Sequence, residues 1–256
     1  MTMSDELLVE YRNGIQILTI NRLEARNACT KAIAEAIAAE LDTLERRDDL
    51  RAAIITGAGG AFCSGMDLKG FLKGERPSIP GRGFAGITEA PPGKPLIAAV
   101  EGYALAGGFE VVLASDLVVA SETARFGLPE TKRGLVAAAG GLLRIQHQLP
   151  ERIALELVLT GDMLDAKRAF EYGLVNRLTP PGDALAVAIE LAGKIAANGP
   201  LAVAASKRVM RASRDWSTAE MFVRQREITD PVFASRDARE GAAAFAEKRV
   251  PQWEGR

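Results

Sequence analysis

Two β-rich runs fill Leu7 to Ile20 on either side of Asn13-Gly14. That dipeptide tolerates the positive φ angles of a tight turn, so a β-hairpin is expected to open the fold. From Thr30 the spacing changes: Ile33, Ile37, Leu41 and Leu44 recur at helical intervals behind a threonine suited to cap the first turn, until the charged patch Glu45-Arg46-Arg47-Asp48-Asp49. Ala52-Ala53-Ile54-Ile55-Thr56 reads as a short buried strand, followed by a Gly-rich turn through Gly65 and a short helix from Asp67. Residues 74–95 hold five of the twelve prolines, many glycines and no sustained period, which marks a flexible surface excursion, read as a loop beside a site. Leu96 to Tyr103 is expected to be a buried strand, Gly107-Gly108 opens a helix, and Leu117 to Ala120 gives another strand.

Strand, Gly-rich turn and helix recur at Ile54 to Lys69 and at Val100 to Ala114, which points to repeated right-handed ββα turns of an α/β fold rather than a helical bundle. Beyond about residue 181 nearly everything reads as helix. The candidates are Asp183 to Ala197, Leu201 to Ser213, Ser217 to Ile228 and Glu240 to Arg249, with Pro200 and Pro231 as breaks. The expected division is a core over 1–198 and a helical extension over 199–256.

Composition narrows the function more than the fold. The net charge of -1, with no basic run, offers nucleic acid no electrostatic footprint. No apolar stretch reaches the ~20 residues needed to span a bilayer, and acids precede the apolar residues at the N-terminus, so membrane insertion and secretion are not expected. Cys29 and Cys63 match no zinc or redox spacing, and the simplest compartment is a reducing cytoplasm. The single His147 has no second histidine with which to hold a metal, and neither it nor Ser64 sits in a context suited to a Ser-His-Asp triad.

Three elements carry candidate chemistry. Gly57-Ala58-Gly59-Gly60 follows a strand but fails the dinucleotide fingerprint, because Phe62 stands where its last glycine belongs. In Gly102-Tyr103-Ala104-Leu105-Ala106-Gly107-Gly108-Phe109-Glu110 a strand runs through a glycine pair directly into a helix. Helix-start amides lack intrahelical partners and can meet negative charge on a substrate oxygen; equally, the glycines can serve tight packing while Glu110 complements the helix dipole. In Phe126-Gly127-Leu128-Pro129-Glu130 the acid is either an exposed loop residue or the second of two carboxyls that divide acid and base roles.

The segments Asn21 to Ala28, Ala61 to Lys69, Gly102 to Glu110, Phe126 to Glu130, Leu159-Thr160-Gly161 with Ala169 to Asn176, and Phe233 to Arg249 resemble, in order, the motifs of the enoyl-CoA hydratase/isomerase (crotonase) superfamily, closest to its enoyl-CoA hydratases. The resemblance spans essentially the whole chain. It implies the crotonase (ClpP-like) fold, ββα turns followed by a helical C-terminal trimerisation region, in a homotrimer or a hexamer built as a dimer of trimers. It also implies an acyl-CoA thioester substrate, with coenzyme A as part of that substrate, no separate cofactor and no metal.

By the same resemblance the backbone N–H groups of Met66 and Gly107 form an oxyanion hole, Glu110 activates water and Glu130 delivers a proton to the α-carbon. Arg22, Arg26, Asp67, Leu68, Lys69 and Lys248 fall where relatives meet CoA. The implied reaction is hydration of a trans-2-enoyl-CoA, with an isomerase or a carnitinyl-CoA-type dehydratase as the alternative. The chain departs from typical hydratases at Thr131 to Ala138, where Lys132 and Arg133 follow Glu130, and at Thr229, where an aromatic residue is common. Those two cations either face solvent or act on the acid and the acyl group.

Overall fold

In the computed structural model, which describes residues 6–256, the hairpin is β1 (Leu7–Arg12) and β2 (Ile15–Ile20). Asn13 and Gly14 both take positive φ, as the short turn requires. The Thr30 hydroxyl accepts the Ile33 amide at the start of α1 (Lys31–Arg46), whose Ile33, Ile37, Leu41 and Leu44 are all buried. β3 (Ala52–Gly57) and α2 (Leu68–Leu72) follow, with Asp67 capping α2. Next come the short pair β4 (Ser78–Ile79) and β5 (Gly83–Phe84), then β6 (Leu96–Val100), β7 (Tyr103–Leu105), α3 (Gly107–Ala114), β8 (Leu117–Ser121) and β9 (Arg125–Gly127). The chain continues through α4 (Gly141–Ile145), α5 (Glu151–Thr160), β10 (Leu164–Asp165), α6 (Ala166–Glu171), β11 (Arg177–Thr179) and α7 (Ala184–Ala196) to α8 (Pro200–Ala212), α9 (Met221–Phe233) and α10 (Arg236–Glu247).

The main sheet has the order β1-β2-β3-β6-β8-β11, antiparallel only between β1 and β2. Its two faces separate by strand alternation. Ile15, Ile17, Ala52, Ile54, Ile97, Ala99 and Val119 meet Ala184, Ala188 and Ala192 of α7, four residues apart on one helix face. Leu18, Ile20, Ala53, Ile55, Ala98 and Val100 turn to the other side, where α1 and α3 complete the larger core. A second sheet, β10-β9-β7, is continued by the bridge between Ala104 and Cys63, so the outer strand of each ββα turn stacks on the next.

Three expectations change. The apolar run Leu96 to Tyr103 is two strands in different sheets, because Gly102 at φ +54° turns the chain where a Cβ would collide with the carbonyl of Gly60. The segment 74–95 is a surface excursion only in part: its two ends are largely exposed, but Phe84, Ala85, Ile87 and Thr88 are buried, and the prolines and glycines around them leave no period to show it. Pro231 lies within α9 instead of ending it, and α10 begins at Arg236 with Ser235 as its cap. His147 is exposed in the turn just past α4. No single described helix is long and apolar enough to cross a membrane.

The extension is tied to the core through one half-buried carboxylate. Asp116 accepts Lys207 Nζ at 2.5 Å and an Arg211 amine at 3.0 Å from α8, and the Leu96 amide at 2.9 Å. Lys207 also donates to the carbonyls of Pro92 and Lys94. Asp116→Asn keeps the shape but strands two cations, so a loss of about 3 kcal/mol is expected, read as a fall in Tm of about 6–12 °C. A melting temperature equal to wild type would show that the charges do not hold α8.

Candidate active site

Two amides converge beyond the ends of β3 and β7. Cys29 forms a parallel bridge to Met66, in which the Cys29 amide donates to the Gly65 carbonyl and the Asp67 amide donates to the Cys29 carbonyl. Successive strand amides point to opposite sides, so that of Met66 faces away from this pairing. At the second turn Ala106 holds φ +51°, ψ -129°, a conformation costly for a residue with a Cβ, and its amide donates to the Gly127 carbonyl. Gly107, the first residue of α3, has no intrahelical acceptor. Neither the Met66 nor the Gly107 amide donates to another described residue.

The two turns touch, since a Cβ built on Gly65 would lie 2.8 Å from the Ala106 Cβ and 3.2 Å from the Gly107 nitrogen. Gly107 must lack a side chain because the Phe84 ring comes within 2.5 Å of where its Cβ would be.

Glu110 sits one turn into α3 and is 3% exposed. Its Oε1 accepts the amides of Ala139 at 2.8 Å and Gly141 at 2.9 Å. Burial raises its pKa, while those two amides and the charge of Arg144 oppose the rise. Glu130 lies in a 3-10 turn over Pro129–Arg133, started by the proline. Its Oε2 is buried with no hydrogen-bond partner. Loss of water pushes its pKa up to about 7; its own amide opposes this, the Glu110 charge adds to it and Arg133 draws it back. Near neutral pH the pair can therefore hold one proton on Glu130 while Glu110 accepts another.

Both acids and both amides border one cleft of about 700 Å³. Phe84, Leu105, Leu135, Val136 and Ala139 give it apolar walls, and Arg22, Arg26, Asp67, Leu68 and Lys69 stand along it as well. Arg22 is already committed, to Glu6 at 2.9 Å, Asp67 at 3.1 Å and the Ala28 carbonyl. Asp67 caps α2 through the amides of Lys69 and Gly70. Arg26 and Lys69 have no side-chain partner among the described residues and remain open to an anion. Lys248 does not join them: it is the left-handed residue ending α10, outside the cleft of its own chain. Lys132 turns to Asp162 at 2.7 Å, whereas Arg133 borders the cleft. Among the described residues no group of three His, Cys, Asp or Glu side chains could hold a metal ion.

Two amides without protein acceptors, beside the buried Glu110 and the half-buried Glu130, form one cleft with groups able to meet an oxygen and move protons. A family model for enoyl-CoA hydratase/isomerase matches residues 10–256. Enoyl-CoA hydratase EchA19 of Mycobacterium tuberculosis is 41% identical over 262 residues, covering 98% of this chain and 97% of its own. Carnitinyl-CoA dehydratase of Salmonella arizonae is 43% identical, over 99% of this chain and all of its own. The crystal structure of enoyl-CoA hydratase EchA1 from Mycobacterium marinum matches with a TM-score of 0.97 at 56% identity, over 99% of this chain and 100% of that one. The chain belongs to the enoyl-CoA hydratase/isomerase family and has the crotonase fold.

The raised Glu130 carboxyl makes stability depend on pH. In the unfolded chain it ionises near the ordinary glutamate value, so its contribution is fully present below that value and is lost as pH rises to about 7. Glu130→Gln, neutral throughout, is expected to melt about 3 °C or more above wild type at pH 8 and at nearly the same temperature at pH 4. Parallel melting curves at both pH values would mean that Glu130 is not strained by burial.

Proposed function

We propose that this hydro-lyase adds water reversibly to the double bond of a trans-2-enoyl-CoA. The observation that carries the reading is the pairing of an unpartnered, raised carboxyl on Glu130 with the amide-held Glu110, beside two free amides. The thioester oxygen accepts the N–H groups of Met66 and Gly107, which stabilises the enolate-like charge that develops there. Water attacks the β-carbon as Glu110 takes one of its protons, and the α-carbon takes the proton of Glu130. The proton on Glu110 then returns to Glu130, restoring the starting state. Coenzyme A arrives with the substrate, and the open cations Arg26 and Lys69 suit its phosphates.

Arg133 on the wall of the cleft, with the similarity to carnitinyl-CoA dehydratases, favours a second reading in which the same acids dehydrate a polar hydroxyacyl-CoA. Parallel turnover of crotonyl-CoA and carnitinyl-CoA separates the two.

The α8 to α10 region supports assembly as a trimer or dimer of trimers, because Phe222, Phe233 and Phe245 are 60%, 79% and 89% exposed on it. In such an assembly Lys248 serves a neighbouring copy. Light scattering is expected to give three or six chains per particle; an active monomer would contradict it.

Glu110→Gln and Glu130→Gln are each expected to lower kcat on crotonyl-CoA at least about a hundredfold, with little change in affinity. The double variant should be far less than multiplicatively worse, because both groups act in one transition state. A Glu130→Gln protein that hydrates crotonyl-CoA at the wild-type rate would refute the assignment.

A further inference from the structure

Behind the site stands a half-buried guanidinium with no carboxylate at ion-pair distance among the described residues. Arg144, on α4, donates one amine to the Thr88 carbonyl at 2.5 Å, and its other amine lies over Gly140, where it would have to move aside for a Cβ. Gly140 adjoins Gly141, whose amide holds Glu110. Thr88 belongs to the buried segment that carries Phe84, the ring set against Gly107. One side chain thus ties the cradle of the first acid to the wall behind an oxyanion amide.

The charges around it are lopsided. Arg144 faces Glu110 from α3 and Arg211 from α8, while Lys207 and Arg208 of α8 line the outer cleft it borders. Asp116 is already shared by Lys207 and Arg211. Glu110 in turn faces Glu130 from the 3-10 turn and Arg144 from α4, with Arg133 beyond Glu130.

We propose that Arg144 is a positioning residue of the reaction: anchored on the Thr88 carbonyl and lying over Gly140, its guanidinium holds the 139–141 backbone against Glu110, so that Glu110 serves as the base and Glu130 as the proton donor. The proposal rests on the acid and base roles given above. The amides of Ala139 and Gly141 make the two carboxyls unequal, and Arg144 stands behind those amides on the side of Glu110 alone, while Arg133 is exposed to water beside Glu130. A lysine would supply the charge but not the planar fork that reaches Thr88 while lying over Gly140.

The test compares wild type with Arg144→Met and Arg144→Lys by two readouts. The first is a 13C NMR titration of the Glu110 carboxyl without substrate, assigned by its loss in Glu110→Gln. The second is the pH profile of kcat on crotonyl-CoA. Arg144→Met should titrate Glu110 at higher pH than wild type, move the acid limb of kcat the same way and lower kcat by about tenfold, with KM within about twofold. Arg144→Lys should restore the titration while recovering kcat only in part. An unmoved Glu110 titration in a folded Arg144→Met overturns the proposal. Should that variant not fold, Arg144→Lys decides: wild-type kcat, or a Glu110 titration displaced upward despite the retained charge, overturns it. Failure of wild type to hydrate crotonyl-CoA would strike the functional reading instead, with the NMR titration still deciding what Arg144 does to Glu110.

Discussion

Two backbone amides have to stay without protein partners while everything around them is packed, and the most unusual features of this fold follow from that requirement. Buried amides are nearly always paired, so leaving two unpaired demands turns that ordinary sequence does not make. Gly65 takes φ +98° at the turn into Met66, whose amide faces away from the bridge to Cys29, and Ala106 is held at φ +51° to aim the first amide of α3. Those conformations cost free energy that the surrounding core has to offset. Phe84, Phe109 and Phe126 supply part of that core around the turns, and the stacked outer strands hold the two turns in contact.

The same packing makes the carboxyls useful. A glutamate in water titrates far below neutrality and is a poor proton donor at pH 7, whereas Glu130, deprived of water and without a partner for Oε2, retains its proton to about that pH. Glu110 is buried more deeply, yet two amides and a nearby guanidinium favour its charged form. Burial supplies the difference from water, and hydrogen bonding supplies the difference between the two acids.

Much of this was legible in the sequence where the physics is local. Asn13-Gly14 announces the hairpin, Thr30 the cap of α1, and Gly107-Gly108 the start of the helix that carries Glu110. The motif order was enough to pair Glu110 with Glu130. What escaped is long-range or masked. The amides that hold Glu110 come from 29 and 31 residues away, and nothing in Ala139 or Gly141 advertises that contact except a glycine pair ahead of a helix. Phe84 lies among prolines and glycines that erase periodicity, yet it decides that Gly107 has no side chain. The run from Leu96 to Tyr103, broken only by Glu101-Gly102, conceals a change of sheet at Gly102, where the neighbouring Gly60 carbonyl leaves no room for a Cβ. Arg144 is one arginine among many until the fold sets it against Thr88 and Gly140.

The central claim, that the free amides of Met66 and Gly107 bind the substrate oxygen between the two acids, is tested most directly by a crystal structure with a non-reactive acyl-CoA analogue such as acetoacetyl-CoA. The account predicts the thioester oxygen at about 2.8–3.1 Å from both nitrogens, with the α- and β-carbons lying against Glu130 and Glu110. A thioester bound elsewhere in the cleft, with either amide left without the oxygen, would contradict it.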